Sequence, residues 1–161
     1  MNAGTGSNRF LDSLPLKVRT RLQQLGRPCD FPPGARLFQE GSVHSEVYLL
    51  EAGHVRLDMV VRDKGRVPLV TVGAGEIVGW SPLFADHPMT ATALAMEPVH
   101  ALAFHGSELR QVCETEHEVG HFVFRQVAQL LSERLLATRL QLLDLFGEQQ
   151  PQIYQPVDSE C

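Results

Sequence analysis

The chain has 161 residues, with 14 Lys and Arg against 19 Asp and Glu, a formal charge of −5. A chain of this length buries roughly 70% of its unfolded surface without staples. A composition of 43% hydrophobic and 20% charged residues excludes wholesale disorder. The acidic balance offers no electrostatic pull toward nucleic acid or an anionic membrane. No run reaches the roughly 18 apolar residues of a membrane-spanning helix. The first residues carry neither the basic nor the apolar region of a secretion signal, so a cytoplasmic location is expected.

The three cysteines, Cys29, Cys113 and Cys161, are scattered with no C-x-x-C pair. Cys29 and Cys113 read as packed thiols and Cys161 as a frayed terminal one, with a redox role open mainly for exposed Cys161; a disulfide framework is not expected.

In chain order, residues 1–8 read as a polar, mobile tail. Ser13 is expected to cap a short helix with Pro15 near its first position. Leu14, Val18, Leu22 and Leu25 recur at helical spacing, and Gly26 ends the run. Between Pro28 and Phe104 short apolar runs alternate with turn residues. Strands are predicted at Ala35–Gln39, Val47–Glu51, His54–Arg62, Val67–Val72, Glu76–Gly79, Thr90–Ala95 and Val99–Ala103, with a hairpin at Asp63-Lys64-Gly65. The pattern is mainly β with flanking helices, an antiparallel roll, barrel or sandwich.

After Gly106, Ser107 is expected to cap a short helix reaching about Glu114. A long helix follows over residues 117–146, with Gly147 as C-cap, and residues 147–161 read as a tail. The long helix has two apolar stripes. Phe124, Ala128, Leu131, Leu135, Thr138, Leu142 and Leu145 form a heptad seam with one polar member. Val123, Val127, Leu130 and Ala137 form a second stripe beside it. One stripe serves the chain's own core, and the other predicts a homodimer through residues 117–146; a single wide stripe against one core is the alternative.

Two motifs invite chemistry. Gly73 to Gly79 superficially matches a dinucleotide-binding glycine loop but lacks the surrounding strand–helix–strand unit. His117-Glu118-Val119-Gly120-His121 matches H-E-x-x-H, which on a helix places two imidazoles on one face for zinc and a carboxylate as base. The third ligand and substrate cleft that a hydrolase needs are not evident, so this remains a remote alternative. No serine, cysteine or phosphate-loop catalytic pattern occurs. The expectation is a protein that is not an enzyme, with no resident metal or cofactor.

One set of residues is more specific. Phe31-x-x-Gly34-x-x-Leu37-Phe38-x-x-Gly41, then Tyr48-Leu49-Leu50-x-x-Gly53-x-Val55-x-Leu57, then Gly75-Glu76-Ile77-Val78-Gly79, resembles the cyclic nucleotide-binding domain. The likeness is to the sensor half of catabolite-activator and fumarate-nitrate-regulator type proteins and covers about residues 10–146. It implies a double-stranded β-roll, jelly-roll-like, with a long C-terminal dimerisation helix and an effector held between roll and helix. Residues 9–146 are then the sensor domain. Regulators of this kind continue into a helix-turn-helix domain of some 60 residues, on the order of one small domain. Only a short tail follows here, so this chain is not expected to bind DNA by itself.

The family's phosphate-binding cassette implies two chemical positions: an arginine for the cyclic phosphate and a glutamate for the ribose hydroxyl. Gly75, Gly79 and Pro88 match its frame, and Thr90, Ala91 and Thr92 match its small residues. Trp80 stands at the glutamate position and Met89 at the arginine position. The resemblance thus makes Gly79, Trp80, Ser81, Met89, Thr90 and Ala91 a degenerate ligand-binding cassette. Either Trp80 and Met89 line a pocket retuned for a less charged effector, or Trp80 fills it as core. From the long helix, Leu131, Leu135 and Thr138 are the expected pocket and dimer contacts, with Thr138 either reporting occupancy across the dimer or setting register. The expected function is a non-catalytic sensor acting on a small effector or a protein partner. The competing reading is a structural subunit with a filled pocket.

Overall fold

The computed structural model describes residues 9–85 and 87–147. The expected tails, residues 1–8 and 148–161, lie outside the described residues, as does Cys161. The chain divides into two compact units, Met1–Val127 and Ala128–Cys161.

The first unit holds eight described strands in two four-stranded antiparallel sheets. One sheet has the order β1 (Arg27–Phe31), β8 (Val99–His105), β3 (Glu46–Ala52) and β6 (Ile77–Val78). The other runs β2 (Arg36–Phe38), β7 (Thr92–Ala95), β4 (Val55–Val61) and β5 (Gly65–Val72). This is the expected β-roll. Strand period two explains its layering. On β3, Tyr48 and Leu50 enter the core between the sheets, together with Val55 and Leu57 of β4 and Ala101 and Ala103 of β8. The alternate residues Val47 and Leu49 of β3 and Phe104 of β8 meet Phe10, Leu22, Leu109 and Val123 on the other side of that sheet, around a residual void of only about 10 Å³. Because β3 is covered on both faces, it reads as a continuous apolar run rather than an alternating one. Each fully buried Leu or Val of this kind contributes about 1.5–3 kcal/mol relative to exposure.

The described residues also form four α-helices: α1 (Arg9–Asp12), α2 (Leu16–Leu25), α3 (Gly106–Thr115) and α4 (His117–Gly147), the last running from the first unit into the second. Sequence and structure differ at several ends. Ser13 does not cap α2. The N-cap is Pro15, held at φ −53° and ψ 142°, while the Ser13 hydroxyl donates to the Phe10 carbonyl at 2.8 Å. Proline bars the preceding residue from helical geometry, which splits the first helical run in two. Ser107 does not cap α3 either; His105 is the N-cap, and the Ser107 hydroxyl lies 2.9 Å from His105 Nδ1. Gly147 closes α4 as its last helical residue. Strand β1 escaped the sequence reading because Pro28 interrupts it; at a sheet edge its missing N–H costs no ladder bond.

Within the first unit, Val119, Val123 and Val127 of α4 are buried, so the second apolar stripe serves the core there. Phe124, the first member of the heptad seam, is 37% exposed. In the second unit, Leu135, Leu136, Leu140, Leu142 and Leu143 are exposed and Leu131 is half-buried. No described element of that unit other than α4 is available to cover them. The side chain of Leu145 lies outside the described residues.

Candidate ligand-binding cassette

The cassette runs from the β5–β6 turn to the start of β7. Gly75 donates its N–H to the Leu50 carbonyl at 2.7 Å, pinning the turn to β3. The Glu76 side chain is spent on the same turn, where its Oε2 accepts from the Gly73 N–H at 2.6 Å. Gly79 then leaves β6 at φ +71°, and a Cβ there would stand 2.9 Å from Phe38 Cε1. Both the conformation and the space select glycine.

Trp80 is the N-cap of a single 3₁₀ turn, Ser81–Leu83, that carries Pro82. The Ser81 carbonyl accepts from the Phe84 N–H at 3.0 Å and the Ala85 N–H at 3.2 Å. Pro82 and Leu83 are buried, while Trp80 and Ser81 are half-buried. The Trp80 ring meets Phe84 edge-on at 6.0 Å, and Phe84 meets Phe124 of α4 at 5.9 Å. Trp80 therefore packs sideways onto other aromatics and does not fill the roll.

Met89 does. It is 4% exposed and belongs to the core between the sheets, with Phe38, Tyr48, Val55, Leu57 and Ala93. Its backbone is fastened at both ends to the preceding loop: its N–H donates to the Ser42 carbonyl at 2.8 Å, and its carbonyl accepts from the Gly41 N–H at 2.7 Å. Pro88 bridges to Val43 beside it. Thr90 is exposed, Ala91 packs half-buried against the core, and Thr92 is buried with its hydroxyl oxygen accepting from the Glu40 N–H at 3.1 Å. Of the six cassette residues expected from sequence, Gly79, Trp80 and Ser81 lie on one continuous turn, Met89 and Ala91 face the core, and Thr90 points to solvent.

Charge at the cassette is as informative as shape. No Lys or Arg occurs between Arg66 and Arg110. At the edge of the core sits instead a half-buried histidine against Phe38 and Tyr48: His44 Nε2 lies 3.1 Å from the Tyr48 hydroxyl. Burial lowers the His44 pKa from its ordinary value, and burial pushes the Tyr48 hydroxyl up to about 12. Both groups are then neutral at neutral pH and share this hydrogen bond. Neither group offers an anion a fixed positive charge at neutral pH. Sequence reasoning did not single out this pair; a histidine four residues before a core tyrosine gave no distinctive signal.

The other flagged residues fall elsewhere. His117 and His121 are exposed, and Glu118 pairs with Lys17 at 3.7 Å. Gly120 of the same motif packs where a Cβ would stand 2.2 Å from the Cys113 carbonyl oxygen, so close packing accounts for it. Among the described residues no three His, Cys, Asp or Glu side chains converge as metal ligands. Beside this motif a groove of about 600 Å³ separates α2 from the start of α4. Across it, Arg21 Nε donates to Glu116 Oε1 at 2.8 Å and Oε2 at 3.1 Å, and this hydrogen bond holds the Glu116 carboxyl below its ordinary pKa. Burial pushes the Cys113 thiol up to about 11 and raises Cys29 as well, so neither forms a ready thiolate. In the second unit the Thr138 hydroxyl donates to the Arg134 carbonyl one turn back at 2.8 Å, and Thr138 is exposed.

The roll, its order of strands and the glycine-framed turn define a regulatory binding domain. Residues 28–116 match the family model of the cyclic nucleotide-binding domain, and the chain belongs to that family. It is 28% identical over 137 residues to the cyclic AMP receptor protein of Thermus thermophilus, covering 85% of this chain and 61% of that protein. The crystal structure of the Thermus thermophilus catabolite activator protein matches with a TM-score of 0.70 at 25% identity, over 86% of this chain and 62% of that one. This chain therefore spans less than two thirds of either relative. A cyclic nucleotide-binding domain from Methylobacillus flagellatus shares the fold, with a TM-score of 0.76 at 20% identity over 91% of this chain and 84% of that one. A receptor and an activator are regulatory proteins rather than enzymes. No helix among the described residues is long and apolar enough to cross a membrane.

Proposed function

We propose that residues 9–146 form a non-catalytic regulatory module, a homodimer through residues 117–146, whose cassette answers to a weakly charged ligand or a protein partner in place of a cyclic nucleotide. The observation that carries this reading is Met89, buried in the core where the family resemblance implies the phosphate-pairing arginine. The absence of any Lys or Arg from Val67 to Leu109 supports it. A charge-assisted contact to phosphate is worth about 1.5–3 kcal/mol. Losing the arginine together with the ribose acceptor weakens a cyclic nucleotide by at least about a hundredfold. The exposed leucines of α4 favour the dimer, because apolar side chains at heptad spacing are covered most simply by their own symmetry mates.

Calorimetric titration with cyclic AMP and cyclic GMP tests the reading, with the emission of Trp80, the sole tryptophan, as a second probe. Binding no tighter than millimolar is expected; micromolar affinity for either nucleotide overturns it. A second reading is an interaction subunit whose interior is closed by its own side chains, favoured by the near-complete burial of Met89, Phe38 and Tyr48. Thermal-shift screening against uncharged and weakly charged metabolites separates the two, since a ligand of the native state raises the melting temperature.

A further inference from the structure

Three members of the motif His117-Glu118-Val119-Gly120-His121 are accounted for by packing or pairing. Val119 is buried, Gly120 closes on the Cys113 carbonyl, and Glu118 pairs with Lys17. The two histidines are not. Both are exposed on the first two turns of α4, and His117 also lines the open groove beside α2, so an ion reaches it from solvent. Four other histidines have a ring nitrogen engaged: His44 by the Tyr48 hydroxyl, His54 by the Glu97 carboxylate, His100 by the Asp30 carboxylate and His105 by the Ser107 hydroxyl. Among the described residues neither His117 nor His121 has such a partner; His121 meets the neighbouring Phe122 ring edge-on at 5.1 Å.

We infer that His117 and His121 form a two-imidazole binding site for a divalent transition ion of the zinc, nickel or copper kind. The site is independent of the cassette and of the homodimer reading. Helix geometry carries it. Side chains four residues apart share one helix face, with Cβ atoms about 5–6 Å apart, so two imidazoles reach one ion. The surrounding chemistry selects the ion. Arg21 holds Glu116 in a bidentate pair at 2.8 and 3.1 Å, and Lys17 faces Glu118, so both adjacent carboxylates are committed to cations. Magnesium and calcium need several oxygen donors and are poorly served there, whereas zinc, nickel and copper accept imidazole nitrogen. Three carboxylates (Glu114, Glu116 and Glu118) against two cations (Lys17 and Arg21) offset the positive end of the α4 dipole. No third His, Cys, Asp or Glu converges among the described residues, so water fills the other positions. The site is therefore an exchangeable one, neither the closed centre of a structural zinc nor the three-ligand centre of a hydrolase. An ion held by residues one turn apart staples the start of α4 to itself.

The test is calorimetric titration of the metal-free, untagged full chain with zinc chloride and nickel chloride, with magnesium chloride as contrast. The expected result is one zinc or nickel ion per chain at micromolar affinity and no heat from magnesium. His117→Gln and His121→Gln are each expected to weaken zinc by about tenfold or more, because joining two donors makes the second one intramolecular. His100→Gln, on a distant strand, is expected to leave the affinity within about twofold. Far-UV circular dichroism checks that the variants fold, as the exposure of these side chains predicts. Saturating zinc is expected to raise the melting temperature of the parent and to leave the double variant unmoved. Loss of affinity in only one of the two single variants, or micromolar zinc retained in the double variant, puts the ion on other donors and overturns the inference. Absence of zinc and nickel binding in the parent overturns it as well.

Discussion

Gly106 and Pro82 meet so closely that a Cβ on Gly106 would stand 2.5 Å from Pro82 Cβ and 2.8 Å from the Pro82 carbonyl oxygen. This contact seats the 3₁₀ turn of the cassette on the first residue of α3. Gly106→Ala is therefore expected to cost about 1–3 kcal/mol by overpacking. It should also shift Trp80 emission, because the tryptophan is two residues from the displaced proline. A thermal melt and an emission spectrum of the variant check both. An unchanged spectrum would mean that the turn is not held by this contact.

Arg56 and Asp58, on the same face of β4, form a bidentate pair at 2.7 and 2.9 Å. The Asp58 side chain is fully buried, while the arginine is 34% exposed. Removing only the cation leaves a buried carboxylate without its counter-charge. Arg56→Met is expected to lower stability, and the double change Arg56→Met with Asp58→Leu to recover most of the loss. Urea unfolding of the two variants and the parent measures the difference.

Met89→Arg places a guanidinium among Phe38, Val55 and Leu57. Burying an unpaired charge there costs several kcal/mol, so the variant should melt well below the parent. Millimolar cyclic AMP is expected to raise the melting temperature of the variant, by pairing that charge, and to leave the parent unmoved. Equal stabilisation of both would show that the phosphate is held without this position.

His44 predicts a pH dependence. Its pKa is lowered in the folded protein, chiefly by burial, against an ordinary value of about 6.5. The unfolded chain therefore binds the proton more readily, so stability rises with pH through this window. The contribution is fully present above about pH 6.5 and is lost as pH falls through the folded value. Melting temperatures between neutral and mildly acidic pH should fall less steeply for His44→Gln than for the parent. Parallel curves would remove His44 as the cause.

Much of the fold was legible in the sequence because strand alternation, turn residues and helical periodicity are local signals. The seven predicted strands all formed, with ends moved by one or two residues, and the Asp63-Lys64-Gly65 hairpin joins β4 to β5 as expected. β1 was missed because Pro28 hides an edge strand, and the break between α1 and α2 because Ser13 imitates a cap that Pro15 takes over. The cassette was legible as a frame of glycines around two unexpected residues. Which of the two enters the core was not. Trp80, the larger and more obvious filler, lies sideways on Phe84, and Met89 occupies the interior.

The sequence by itself determined a mainly β domain, the long helix and the loss of positive charge from the cassette, since hydrophobic period and residue identity are properties of the chain; the choice of a β-roll came from the resemblance of its glycine-framed motifs. Only the tertiary structure decided that Met89 packs inside, that His44 and Tyr48 share a hydrogen bond, and that the Trp80, Phe84 and Phe124 rings meet in succession. Each of these depends on which side chains distant parts of the chain bring within a few ångströms, and no spacing along the sequence encodes that distance.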